Sequence, residues 1–212
     1  MRLVLASNNA KKLAELQAMF APLALDIVTQ GSLGVGEAEE PHQTFIENAL
    51  AKARHAAQAT GAAVIADDSG LCVDALGGAP GVISAHFAPL AALASSPADR
   101  EAQRALQDAA NNQLLLQRLQ DVADRRARSV STLVALRSAD DPEPLVAVGR
   151  WHGEILTAPR GRGGFGYDPL MFIPALGCAA AELDAATKNA HSHRALAAQQ
   201  MLVLMREAWH LA

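Results

Sequence analysis

Residues 62–70, Ala62-Ala63-Val64-Ile65-Ala66-Asp67-Asp68-Ser69-Gly70, set an apolar run directly against two adjacent carboxylates. A run this short, closed by turn-forming residues, reads as a buried strand that ends at Asp67. In open α/β sheets, ligands bind outside the carboxyl ends of the strands, so the position of these carboxylates matters as much as their chemistry. Adjacent carboxylates there can hold a hard cation such as magnesium and activate a water. Asp-Asp is also a frequent helix cap or turn former, and the stretch alone leaves both readings open.

Upstream, Leu3 to Ala6 reads as another buried strand, and Ser7-Asn8-Asn9-Ala10-Lys11-Lys12 follows it into good helix-forming sequence. A strand-to-helix turn with a hydroxyl, free amides and two cations near a helix amino terminus is a fair cradle for phosphate, although an ordinary polar turn with solvated lysines has the same composition. It lacks the Gly-x-x-x-x-Gly-Lys-[Ser/Thr] spacing of a P-loop. Leu25 to Val28 is a further strand, with Gly31, Gly34 and Gly36 marking a loop and Glu37, Glu39 and Glu40 forming a second acidic group. Thr44-Phe45-Ile46-Glu47 matches a capping box that opens a helix running to about Thr60.

Downstream, Gly77 to Gly81 is a tight loop and the chain is helical from about Asp99 to Gln120. Ser129 to Arg137 and Pro144 to Gly149 form two strands around the acidic turn Ala139-Asp140-Asp141-Pro142, an antiparallel hairpin, so the sheet is of mixed direction. Gly161 to Pro169 is a second Gly-dense segment, with Leu170 to Ile173 as a strand after it. A closing helix from Ser192 puts Ala195, Ala198, Leu202, Met205 and Trp209 on one face. Repeats and linkers are absent, and residues 1–212 are expected to form one domain.

Composition narrows the function. Half of the 212 residues are apolar, enough for a core without disulfides or structural metal. A formal net charge of -4 gives no field to draw the chain onto a nucleic-acid polymer or an anionic membrane. No run approaches membrane-spanning length, and Met1 to Ala6 is too short for a secretory signal, so a cytoplasmic protein is expected. Cys72 and Cys178 form no Cys-x-x-Cys pair, fit a reducing compartment and read as small buried apolar residues. His-Glu-x-x-His and Gly-x-Ser-x-Gly are missing, which removes support for a zinc hydrolase or an α/β-hydrolase nucleophile. Phe165-Gly166-Tyr167-Asp168 could bring glycine backbone and an aromatic face against a base, and Lys188, His191, His193 and Arg194 place cations near the last helix start.

In order along the chain stand Ser-Asn-Asn-Ala-Lys-Lys at 7–12, Thr-Phe-Ile-Glu-Asn-Ala at 44–49, Ala-Asp-Asp-Ser-Gly-Leu at 66–71 and Gly-Gly-Ala-Pro-Gly at 77–81. Gly-Gly-Phe-Gly-Tyr-Asp-Pro at 163–169, Lys188 and Ser-His-Arg-Ala at 192–195 follow. Together they resemble the inosine triphosphate pyrophosphatase family, in its bacterial branch of XTP/dITP diphosphatases, over nearly the whole chain. The resemblance implies an α/β fold with a mixed, elongated central sheet flanked by helices, two lobes around a nucleotide cleft, and a homodimer. It implies hydrolysis of noncanonical purine triphosphates (ITP, dITP, XTP) to monophosphate and pyrophosphate with Mg2+, cleansing the nucleotide pool. Carried over by position, Asp68 is the catalytic carboxylate and a magnesium ligand, with Glu39 or Glu40 as the second metal contact. Ser7, Asn8, Asn9, Ala10, Lys11, Lys12, Lys52 and Ser69 grip the triphosphate. Phe165, Gly166, Tyr167, Asp168, Lys188, His193 and Arg194 contact the nucleoside. A donor-lined pocket suits this assignment, since a 6-oxo purine accepts where adenine donates.

Two departures stand out. Glu40-Pro41-His42 replaces the usual Glu-Thr-Gly, stiffening the backbone after the acidic pair. Ser84-Ala85-His86-Phe87 stands where relatives often have Ser-Ala-Arg-Tyr and leads into an Ala-rich stretch, residues 88–98, that does not align with the family's pattern. A related architecture, the septum-formation Maf-like pyrophosphatases of modified pyrimidine nucleotides, is disfavoured by Phe165 to Asp168 and by Ser192-His193-Arg194. A catalytically silent nucleotide-binding module would share the motifs and differ only in activity.

Overall fold

The computed structural model describes residues 1–89 and 97–211; most of the Ala-rich stretch lies outside the described residues. The chain runs β1 (Arg2–Leu5), α1 (Ala10–Phe20), β2 (Asp26–Thr29), α2 (Phe45–Thr60), β3 (Val64–Val73), α3 (Pro97–Arg118), β4 (Arg126–Leu136) and β5 (Leu145–Ile155). It closes with β6 (Met171–Ile173), β7 (Cys178–Ala179), α4 (Ala185–His191) and α5 (His193–Trp209). One seven-stranded sheet has the order β2-β1-β3-β4-β5-β6-β7. β1 pairs in parallel with β2 and β3, whereas β5–β6 and β6–β7 are antiparallel, which makes the sheet mixed as expected.

By its internal contacts the chain groups into two compact units, Met1–Ser69 with Val130–Arg150 and Asn189–Ala212, and Gly70–Ser129 with Trp151–Lys188. In the first unit the period of two along each strand sorts the core. Leu3, Leu5, Ile65, Leu133 and Ala135 pack with Leu16 and Phe20 of α1 and with Ala198, Met201 and Met205 of α5. Val4, Ala6, Val64, Ala66, Val134 and Leu136 pack with Ala49, Ala53, Ala56 and Ala57 of α2. Helices therefore cover both faces of this part of the sheet. Gly149 is required on β5 because a Cβ there would stand 1.9 Å from the His193 carbonyl oxygen, so its absence lets the start of α5 lie against the strand. The second unit has its own core, in which Leu115 of α3 and Leu119 just after it meet Leu71, Val73, Trp151, Ile155, Leu170, Met171 and Ile173.

Local signals explain the helix starts. Asn9 caps α1 by accepting from the amides of Lys11 and Lys12, and Ser192 caps α5 by accepting from Ala195. Thr44 caps α2 by accepting from the Glu47 amide, but the Glu47 carboxylate takes the Thr44 hydroxyl rather than the cap amide, so only half of the expected capping box forms.

The largest departure from the sequence reading is β3. The strand does not end at Asp67 but continues through Asp67, Asp68, Ser69 and Gly70 to Val73. The carboxylates are tolerated inside a buried strand because each meets a cation from an adjoining helix. Cys178 also differs from expectation, being half-buried, while Cys72 is buried.

Candidate active site

Strand alternation sends the adjacent carboxylates to opposite faces of β3. Asp67 follows Ile65 toward α1 and α5. Its Oδ2 accepts from Arg194 Nη2 at 2.9 Å and Nε at 3.1 Å and pairs with Lys12 Nζ at 2.9 Å. Its Oδ1 accepts from Ser131 Oγ on β4 at 2.7 Å. Arg194, itself 1 % exposed, spends its remaining reach on Glu15 and on Ser69 Oγ. Burial alone would raise the Asp67 pKa, but the Arg194 and Lys12 charges and the Ser131 hydroxyl hold it well below the usual carboxylate range. The same cluster pushes the Arg194 guanidinium up against the cost of its own burial.

Asp68 follows Ala66 toward α2. Its Oδ1 accepts from Lys52 Nζ at 2.7 Å, while its Oδ2 is buried without a hydrogen-bond partner among the described residues. Burial pushes this carboxyl up to about 6; Lys52 pulls it down and the Glu40 charge adds to the rise. Lys52 loses by burial and regains more from Asp68 and Glu40, so it is held in its charged form. Glu40 Oε2 lies 3.1 Å from Lys52 Nζ. Glu39 is exposed. The segment after Glu40 is held by Asn48 of α2, whose side chain exchanges two hydrogen bonds with the backbone of His42, so Pro41-His42 is anchored.

A cavity of about 90 Å³ in this unit is lined by Ser7, Lys12, Gln30, Glu37, Glu40, Lys52 and Asp67 among others. The Ser7-to-Lys12 turn lies beside it with much of its polarity turned inward: Ser7 Oγ accepts from the Asn9 amide and Asn9 Oδ1 from those of Lys11 and Lys12. Asn8 Oδ1 is buried and without a partner among the described residues. A larger recess of about 630 Å³ in the second unit has one cation on its wall, Arg125, already committed to the carbonyls of Leu119, Ile155 and Leu156. Volume therefore does not mark the chemistry.

The donor set suits a hard divalent cation. Among the described residues no group of three or more His, Cys, Asp or Glu forms a ready metal cage. Magnesium needs none, being bound through one or two carboxylates together with waters and substrate phosphates. Asp68 offers an unused carboxylate oxygen and Glu40 a half-exposed carboxylate near it.

In the second unit, Asp168 Oδ2 accepts from the Phe165 amide at 2.9 Å and from Lys188 Nζ of α4 at 2.7 Å. Lys188 Nζ stands 4.6 Å from the centre of the Phe165 ring. The Tyr167 hydroxyl donates to the Ser84 carbonyl, and burial with the nearby Asp108 charge pushes its pKa up. Lys188 and Arg194, close in sequence, thus have separate partners.

Sequence reading missed Glu15, Gln30 and Ser131. None sits in a motif, and Ser131 stands on β4 beside a second hydroxyl residue, Thr132, so sequence alone did not single it out.

The Ham1 family model matches residues 3–204. The dITP/XTP pyrophosphatase of Methylibium petroleiphilum is 72 % identical over 99 % of both chains. That of Leptothrix cholodnii is 70 % identical over all of both. A solved HAM1 protein from Coxiella burnetii superposes with a TM-score of 0.85 at 41 % identity, covering 98 % of this chain and 100 % of that one. This agrees with the resemblance drawn from the motifs: the chain belongs to the Ham1 family.

Proposed function

We propose that residues 1–212 act as one nucleoside triphosphate pyrophosphatase that cleaves ITP, dITP and XTP between the α- and β-phosphates, releasing monophosphate and pyrophosphate and clearing such nucleotides from the pool. The observation that carries this reading is Asp68, a buried carboxylate with one oxygen on Lys52 and the other unused. The relatives' activity as dITP/XTP pyrophosphatases supports the substrate class.

In this reading Asp68 accepts the proton of the attacking water, and Lys52, fixed by Asp68 and Glu40, orients that carboxylate and offsets phosphate charge. Lys12 and the Ser7-to-Lys12 turn, with Ser69, take the triphosphate; the amides of Asn9, Lys11 and Lys12 exchange their internal acceptors for phosphate oxygens. Magnesium, held by Asp68 and Glu40 with Glu39 as the alternative second ligand, would neutralise charge on the phosphates. Phe165 to Asp168, Lys188, His193 and Arg194 contact the nucleoside, and Arg194 does so in competition with Asp67 and Glu15.

No helix among the described residues is long and apolar enough to cross a membrane. We further propose a cytoplasmic homodimer; light scattering of the purified protein tests the dimer, and cell fractionation tests the compartment. The decisive experiment is a nucleotide panel with product identification, with and without magnesium. Preferential release of pyrophosphate from ITP, dITP and XTP over ATP is expected. Equal rates on ATP, or orthophosphate as the direct product, would sink the reading.

A further inference from the structure

The Phe165-to-Asp168 turn is held from behind by a polar stripe on α3. Asp108 and Asn112, four residues apart, share one helix face. Asp108 Oδ2 accepts from the Gly166 amide at 2.8 Å, and Asn112 Nδ2 donates to the Gly166 carbonyl at 2.9 Å. One peptide position is thus gripped through both of its backbone groups. Gly166 has φ +61°, a conformation that costs a side-chain-bearing residue and that the two α3 contacts lock in place. The next residue is fixed from the same helix: Asn111 Nδ2 donates to the carbonyls of Ser84 and Ala85, and Ser84 is also the acceptor of the Tyr167 hydroxyl.

Helix stability does not explain these choices. Asp and Asn are poorer helix formers than Ala or Leu. Asn112 Oδ1 is buried without a partner among the described residues, a standing cost for keeping an amide at this position. What the side chains do achieve is a turn whose shape is set before a ligand arrives. The Phe165 amide is on Asp168, both Gly166 groups are on α3, and Lys188 lies over the Phe165 ring.

We infer that Asp108 and Asn112 are positioning residues for nucleobase recognition, acting through the backbone of Gly166 to preorganise the Phe165-to-Asp168 turn. This rests on the nucleoside role proposed for that turn. Preorganisation lowers the cost of binding, so loosening the turn weakens capture of the nucleoside. Water activation at Asp68 does not use these groups. The defect should appear in KM for ITP and in inhibition by IMP, while kcat and inhibition by inorganic pyrophosphate, which carries no base, stay near wild type.

The test compares wild type with Asp108→Ala, Asp108→Asn and Asn112→Ala, each checked for folding by circular dichroism. Asp108→Ala should raise the KM for ITP roughly tenfold and weaken IMP inhibition by a similar factor, the loss of one part-buried charge-assisted hydrogen bond. Asp108→Asn, which keeps an acceptor oxygen, should recover most of that loss. Asn112→Ala should move KM in the same direction and carries the test should Asp108→Ala not fold. An unchanged KM in both alanine variants, or equal weakening of IMP and pyrophosphate, would overturn the inference. A wild-type protein that cleaves no ITP would instead overturn the nucleotide reading beneath it.

Discussion

The two faces of β3 treat identical side chains in opposite ways. On the α1–α5 face, Asp67 has every oxygen engaged, by a guanidinium, an ammonium and a hydroxyl, and is held ionised. On the α2 face, Asp68 has one ammonium, a nearby carboxylate and an unused oxygen, and is pushed up to about 6 by burial. A carboxylate with all its acceptors filled can only hold structure together. One with a spare buried acceptor can take a proton or a cation. The two environments differ through strand alternation and through which helix supplies the neighbouring cation.

The strongest way to break this comparison is to neutralise the free face. In the proposed mechanism Asp68→Asn removes the proton acceptor while keeping the side-chain shape, and should lower kcat for ITP by about a thousandfold or more, with folding of the variant checked by circular dichroism. Pyrophosphate release from the purified variant measures it. Near-full activity would mean that Asp68 is another structural carboxylate.

Neutralising the other face should chiefly cost stability. Asp67→Asn leaves Arg194, 1 % exposed, with Glu15 as its remaining carboxylate, and breaking a buried pair from one side costs about 3 kcal/mol or more. Urea unfolding of the two proteins reads this directly. A loss below about 1 kcal/mol would show that Arg194 is satisfied without Asp67. Ser131→Ala takes one hydrogen bond from the same carboxylate and leaves the ion pairs, so about 1.5 kcal/mol is expected. A neutral result there would assign the low pKa of Asp67 to the cations alone.

What could be read from sequence follows the same division. The start of α2 at Thr44 was legible because its deciding hydrogen bond lies within three residues, and residues 7–9 were legible as a polar turn into α1, although Asn9 was not singled out as the cap. Ala66-Asp67-Asp68 was legible as a candidate site but not as mid-strand, because the group that lets Asp67 stay inside the sheet is Arg194, 127 residues away. Sequence spacing also grouped Lys188 with Arg194, which the fold gives to different carboxylates. The α3 stripe was invisible for the same reason: Asp108 and Asn112 look like solvated helix polarity until Gly166 is brought against them.

The mildest test uses a buried carboxylate whose one cation, the half-exposed Arg137, stands at 3.4 Å. Asp141, 4 % exposed in the β4–β5 turn, accepts from the backbone amides of Arg137 at 2.8 Å and Glu143 at 3.0 Å. Burial pushes its pKa up, but these two amides and the Arg137 side chain outweigh it and leave the value lowered. A lowered folded value means that stability from this group is complete above the ordinary carboxylate range and is lost as pH falls through the folded value. Asp141→Asn should therefore cost about 1 kcal/mol near neutrality, with the gap to wild type closing in acid below the ordinary carboxylate range. Thermal unfolding of both proteins across that window measures it. A loss at neutral pH as large as that of Asp67→Asn would mean that two backbone amides and one half-exposed guanidinium hold a buried carboxylate as firmly as Arg194 and Lys12 do, and that the buried ionic partners on the α1–α5 face of β3 are not what sets Asp67 apart.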